Sequence, residues 1–185
     1  AEPLVLLADS AIVGHLGTVE LAGLGIAGAV LTTLISVCIF LAYGTTASVA
    51  RRLGAGDVRG ALAQGIDGIW LAVIIGLVTT VVGLATVGPL IGFFNPDPEV
   101  AEHAASYLSW AFLGVTPLLV LLAGTGILRG LQDTRTPLVV AIAANAANVV
   151  LNVVLVYGLD LGVAGAAIGT DLAQLGAATA VGGLL

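Results

Sequence analysis

The chain has 185 residues, 59 % of them hydrophobic and only 9 % charged, with a mean hydropathy of +1.16 and a net charge of −6. Soluble domains carry roughly 25 % charged residues. Sixteen charged side chains, 5 basic and 11 acidic, are too few to clothe a water-soluble enzyme, and the same apolarity excludes a disordered chain. The acidic balance leaves no footprint for nucleic acid, and the single Cys38 excludes an internal disulfide.

A membrane helix needs about 20 mainly apolar residues. The first apolar run, residues 3–16, is too short to cross, and it lacks the positive n-region and cleavage site of a signal peptide. With no Met in the chain, it is expected to be a helix missing its first half, on a fragment of a longer protein. Longer runs follow at residues 21–50, 61–94, 100–128, 137–157 and 163–185. The breaks carry turn chemistry: Gly17-Thr18, Gly54-Ala55-Gly56-Asp57, Asn95-Pro96-Asp97-Pro98, Gln132 to Pro137, and Gly158-Leu159-Asp160. The fold expected is all-α: a polytopic bundle of six transmembrane helices, the first truncated, forming one membrane domain over residues 1–185. The 26 glycines suit helices that approach closely in lipid.

The arginines set the orientation. Arg51, Arg52 and Arg59 flank the second break, and Arg129 and Arg135 flank the fourth. The other three breaks carry Glu20, Asp97, Glu99, Glu102 and Asp160. Successive loops alternate sides, so all five Arg fall on one side, cytoplasmic by the positive-inside rule.

Charges at bilayer depth cost roughly 2.5–3.5 kcal/mol on insertion scales, so those present call for a partner or a task. Glu2 and Asp9 lie in the first span, seven residues apart and therefore on one face, about 10 Å apart along the axis. They read as a proton or cation relay, or, for Glu2, as part of an exposed end. Pro3 suggests a kink there. Asn145, Asn148 and Asn152 form one stripe in the fifth span, either ligands or interhelical glue. The sixth span holds Thr170, Asp171 and Gln174. Asp67 is expected at the cytoplasmic interface. Thr32, Thr33, Ser36, Thr45 and Thr46 are expected to bond their own helix carbonyls. Tyr107 and Tyr157 are expected at span ends as interface aromatics. His15 and His103 sit near the outer face without a Cys/His cluster, so no metal site is expected.

Two motifs mislead. Gly23-Leu24-Gly25-Ile26-Ala27-Gly28 matches a dinucleotide fingerprint but lacks the preceding strand and the later acid, and its glycines suggest close helix packing instead. Gly54-Ala55-Gly56-Asp57 is similar to the GxGD motif of intramembrane aspartyl proteases, but Asp57 sits in an Arg-flanked loop and no Tyr-Asp partner exists.

Several segments together resemble the multidrug and toxic compound extrusion (MATE) family, DinF-like branch. They are Glu2-Pro3-Leu4 with Asp9 to Gly17, Leu53 to Asp57, Arg129 to Pro137, Asn148 to Asn152, and Gly162 to Ala167. The resemblance implies one lobe of a twelve-helix transporter, the C-terminal lobe being encoded in the same full-length chain. It implies a secondary antiporter in the plasma (inner) membrane, contacting lipid and exporting small cationic or amphipathic compounds against H+ or Na+, with no other cofactor and no enzymatic activity. The family's ion site corresponds to Asp9, Asn148, Asn152 and Thr170. Asn152 stands where many relatives carry Asp, and Asp171 is a candidate replacement for the lost acid; Glu2 completes the cation-coupling set, with Na+ implied at Asp9, Asn148 and Thr170. Asn145, Gln174, Ser36 and Tyr43 are the polar residues expected to line a substrate cavity. Alternatives are a lipid-precursor flippase of the same superfamily, disfavoured by the lack of Arg within a helix, and a passive packing module.

Overall fold

The computed structural model describes residues 10–185. Glu2, Pro3 and Asp9 lie outside the described residues. Residues 10–14 are helical and end in a turn. Helix α1 (Thr18–Cys38) follows Gly17, with Glu20 in its first turn, where a carboxylate complements the positive helix end. After Ile39 the chain continues as α2 (Phe40–Gly54), with Arg51 and Arg52 in its last turn. Gly56 then takes a left-handed φ of 80°, a conformation that favours glycine, and Asp57 caps α3 (Val58–Gly92) by accepting from the Gly60 amide at 2.8 Å.

Helix α3 has 35 residues and is therefore about 52 Å long. It exceeds a hydrocarbon core of about 30 Å, so it must tilt or project. Asn95 adopts φ 47°, and Pro98 opens α4 (Pro98–Leu113) at its first turn, where its missing N–H has no intrahelical partner to lose. The predicted span 100–128 is not one straight helix: α4 and α5 (Val115–Gly130) meet at Gly114 with a bend of 46°. Helix α6 (Arg135–Val153) runs into a π-helical turn, Val154–Gly158. Left-handed Asp160 and Gly162 then lead into α7 (Gly162–Gly182).

Among the described residues three segments are long and apolar enough to cross a membrane: Thr18–Gly54, Val58–Gly92 and Arg135–Gly158; the bent α4/α5 pair makes a fourth. Helix α7 has 21 residues and is less apolar than the other spans. Thr170, Asp171, Gln174 and its glycines dilute it, and it makes up for this by burial. It packs against α4, α5, α6 and the π-turn, burying Val163, Ala166, Ala167, Ala173, Ala177 and Val181.

Helix α5 is the second internal helix, packed on α2, α3 and α7. Glycines set these approaches. A Cβ on Gly76 of α3 would strike the Thr116 backbone at 2.7 Å, and one on Gly165 of α7 would strike the Leu155 carbonyl carbon at 2.9 Å. Close backbone approach of this kind drives helix association where lipid supplies no hydrophobic force. Large apolar side chains face outward on α3, among them Ile66, Trp70 and Val81. In a soluble protein such a face would aggregate; in an integral membrane protein it is the lipid surface. Tyr107, expected at an interface, is instead 4 % exposed in the core, because α4 turns this face toward α1 and α7.

Candidate functional site

The α6/α7 crossing holds the most buried polar cluster among the described residues. Asn148 is 3 % exposed and Asn152 is fully enclosed. Asn148 Nδ2 donates to Thr170 Oγ1 at 2.8 Å, Asn152 Nδ2 donates to Asn148 Oδ1 at 3.4 Å, and Thr170 Oγ1 donates to the Ala166 carbonyl at 3.0 Å. The i, i+4 spacing of the two asparagines stacks them on one face of α6. Gly169 makes room for them: a Cβ there would overlap Asn152 Oδ1. Helix α7 thus presents a glycine and a threonine side by side to receive two amides from α6.

Amides and hydroxyls are neutral oxygen and nitrogen groups that neither gain nor lose a proton near neutral pH. Such a cluster can orient a carboxylate or offer oxygen ligands to a cation. It cannot itself carry a proton. Within it, position 152 holds an amide, and none of the three members is a carboxylate; Asp9 and Glu2 lie outside the described residues.

Asp171 does not join this cluster. Neighbouring positions on a helix point about 100° apart, and the Asp171 carboxylate lies over Gly114, in the space a Cβ would occupy. It therefore reaches the α4/α5 bend, and the expectation that it replaces the missing acid beside Asn152 has no geometric basis here. The same bend is held from the other side by Thr80 of α3, whose hydroxyl donates to the Phe112 carbonyl at 2.8 Å. A bend frees carbonyls from the helical ladder, and a hydroxyl from a neighbouring helix satisfies one of them. Neither Thr80 nor Gly114 stands out in the sequence, because nothing local marks Gly114 among 26 glycines.

The remaining candidates are dispersed. Asn145 and Gln174 are half-buried and make no hydrogen bond with the cluster. Ser36 and Tyr43 are exposed on α1 and α2; the Ser36 hydroxyl donates to its own helix at the Thr32 carbonyl, 2.7 Å away, and Tyr43 is 67 % exposed. Thr33, Thr45 and Thr46 also bond carbonyls one turn back, and Thr46 reaches across to the Gly126 carbonyl at 3.0 Å. Of the fingerprint-like glycines only Gly23 packs closely, against His103 and Ala104; Gly25 and Gly28 face open space, lining a groove of about 580 Å³ together with Ser10, Thr32 and Thr33. No group of three metal-ligating side chains occurs among the described residues. One contact was not foreseen: Tyr157 Oη donates to the Ile12 carbonyl at 2.5 Å, tying the π-turn to the end of the first span.

Residues 1–154 match the MatE family. The chain belongs to the MATE family. It is 30 % identical over 184 residues to the DNA damage-inducible protein F of Escherichia coli, covering 99 % of this chain and 40 % of that protein. It is 29 % identical over 174 residues to a probable multidrug resistance protein NorM of Thermotoga maritima, covering 91 % of this chain and 37 % of the relative. Among solved structures it matches the inward-facing conformation of a multidrug resistance MATE family transporter of the MOP superfamily, with a TM-score of 0.96 and 29 % identity over 100 % of this chain and 42 % of that one. A MATE in the bent conformation gives 0.93 at 29 % identity, with 97 % and 40 % covered. The chain thus spans about 40 % of the length of these relatives, which makes it one lobe of the MATE architecture. It is an integral membrane segment, and its DinF-like character agrees with the E. coli relative.

Proposed function

We propose that the full-length protein carrying this lobe is a secondary antiporter that exports cationic or amphipathic small molecules in exchange for H+ or Na+. Residues 1–185 form a single membrane domain that pairs with a C-terminal lobe of the same chain. The observation that carries this reading is the buried Asn148–Thr170 hydrogen bond in a chain whose relatives are named as multidrug resistance proteins and transporters. Buried polar groups in a membrane bundle mark ion or substrate pathways when they are not mere glue.

In this mechanism Asp9 holds the coupling ion, Asn148 and Thr170 orient it or ligate it, and Asn152 braces Asn148 from one turn away. Glu2 extends the relay toward the cytoplasm. Loading and unloading of the ion alters the hydrogen bonds between the first span and the α6/α7 crossing, and Pro3 lets the first span bend in response. One charge crossing about 100 mV supplies roughly 2.3 kcal/mol, and each 1.4 kcal/mol is a factor of ten. A single ion therefore sustains about a fifty-fold substrate gradient. The protein would lie in the plasma (inner) membrane, with the loops bearing Arg51, Arg52, Arg59, Arg129 and Arg135 in the cytoplasm.

The test is transport by the full-length protein in proteoliposomes with proton and sodium gradients imposed separately. Efflux of an organic cation driven by one of them, and lost in Asp9→Asn at equal protein incorporation, is the expected result. Efflux that ignores both gradients, or that survives Asp9→Asn, contradicts the coupling scheme.

A further inference from the structure

We propose that the arginine-bearing end of the bundle is a docking surface for anionic phospholipid, with Arg59 on the phosphate and the outer row of α3 along an acyl chain. The two Arg-bearing loops lie at one end of the fold. Thr46 bonds the Gly126 carbonyl, and a Cβ on Gly130 would meet Val49 at 2.8 Å, so α2 and α5 finish side by side. Both acids in these loops are already engaged. Asp57 caps α3 and pairs with Arg52 at 3.3 Å. Asp133 accepts from the Arg135 and Thr136 amides at 3.1 and 3.0 Å and from the Thr136 hydroxyl at 2.5 Å. Arg51, Arg59, Arg129 and Arg135 remain exposed, and no ion pair is formed by any of them among the described residues. The one other acid on this part of α3 is the exposed Asp67, eight residues beyond Arg59.

A guanidinium fork suits a phosphate diester. What distinguishes a lipid from free phosphate is the surface adjoining the charge. Arg59, Leu62, Ile66 and Trp70 are spaced by three, four and four residues, which places them on one face of α3. Leu62, Ile66 and Trp70 are 41, 57 and 64 % exposed, so an apolar strip begins one turn from the charge and runs toward the middle of the helix. The opposite end carries Glu20, Asp97, Glu99, Glu102 and Asp160 and would repel the same headgroup. This inference depends on membrane placement and not on export.

The experiment measures binding of phosphatidylglycerol against phosphatidylcholine of identical chains to the full-length protein in neutral detergent, with no substrate and no ion gradient. Wild type is expected to prefer phosphatidylglycerol. Arg59→Gln and Arg135→Gln should each reduce that preference about fivefold, since a basic residue near a headgroup is worth about 1 kcal/mol. Glu99→Gln should leave it unchanged. Raising salt to 1 M, where the screening length is about 3 Å, should erase the preference in wild type, an arm that needs no variant to fold. Equal binding of both lipids by wild type, a preference untouched by Arg59→Gln, or displacement by glycerol 3-phosphate as effective as by the lipid overturns the proposal. Because no transport is read, a failure here leaves the antiporter reading to its own test.

Discussion

Asn148 of α6 gives its side-chain amide to Thr170 of α7 at 2.8 Å while its own carbonyl oxygen is held by Asn152. The contact is buried, so removing one member leaves the other without its partner. Thr170→Val should destabilise the full-length protein by about 1 kcal/mol, near the scale measured for polar contacts between membrane helices, and Thr170→Ser should restore most of it. Thermal unfolding in detergent, read by fluorescence of the buried Cys38 reacting with a maleimide dye, would show the order wild type, Thr170→Ser, Thr170→Val.

Glycine positions on α7 should differ sharply. A methyl at Gly169 would displace Asn152, whereas nothing lies within 4 Å of the space above Gly176. Overpacking costs about 1–3 kcal/mol. Gly169→Ala is therefore expected to destabilise and to disturb ion coupling, and Gly176→Ala to be neutral or slightly stabilising. Comparison of the two variants by thermal unfolding checks the register of α6 on α7.

The bend at Gly114 depends on Thr80 and on the space occupied by Asp171. Thr80→Val strips the Phe112 carbonyl of its donor and should cost about 1 kcal/mol. Gly114→Ala should force Asp171 aside and perturb α4/α5 geometry more than Gly88→Ala, which meets open space. A pair of spin labels on the outer surfaces of α4 and α5 would report the altered angle.

Tyr157 pins the end of the first span through the Ile12 carbonyl. Loss of one hydrogen bond is worth about 0.5–1.5 kcal/mol, a factor of roughly two to thirteen. Tyr157→Phe should therefore raise amide exchange across residues 12–16 several-fold without changing exchange in α3. Unaltered exchange there would show that the contact does not hold the span.

Asp133 supplies a pH-dependent element in an exposed loop. The Thr136 hydroxyl and amide, followed by Arg135, hold its carboxyl below the usual carboxylate range. The folded state thus favours the charged form, and the stabilisation is complete above the ordinary carboxylate pKa and is lost as pH falls through the depressed folded value. Asp133→Asn should be less stable than wild type at neutral pH, with the difference shrinking only under strongly acid conditions. Unfolding of both proteins from neutral to acid pH measures that convergence.

Much of this was legible in the sequence for one physical reason: lipid rewards long apolar runs and breaks them with charged, Gly- and Pro-rich turns. The breaks at Gly54 to Asp57, Asn95 to Pro98 and Gln132 to Pro137 all appear as loops, with left-handed Gly56, Asn95 and Gln132. The pairing of Asn148 with Asn152 was legible as well, because a spacing of four stacks two side chains on one face of a helix, whereas Asn145, read into the same stripe, makes no hydrogen bond with them. Contacts between spans were not. The tie from Thr80 to Phe112 at the bend, the seat of Asp171 against Gly114 and the tie from Tyr157 to Ile12 join residues 32, 57 and 145 positions apart, and no local pattern encodes such pairs. Burial of α7 by its neighbours, rather than its own apolarity, likewise cannot be read from residues 162–182 alone.

The most direct measurement is organic-cation efflux from proteoliposomes by the full-length protein with Asn148→Val, under an imposed ion gradient, beside equilibrium binding of the same cation. Binding close to wild type with gradient-driven efflux reduced at least tenfold is the expected outcome. Efflux at the wild-type rate would contradict the assignment of the α6/α7 cluster to ion coupling and leave Asn148 as an interhelical tie.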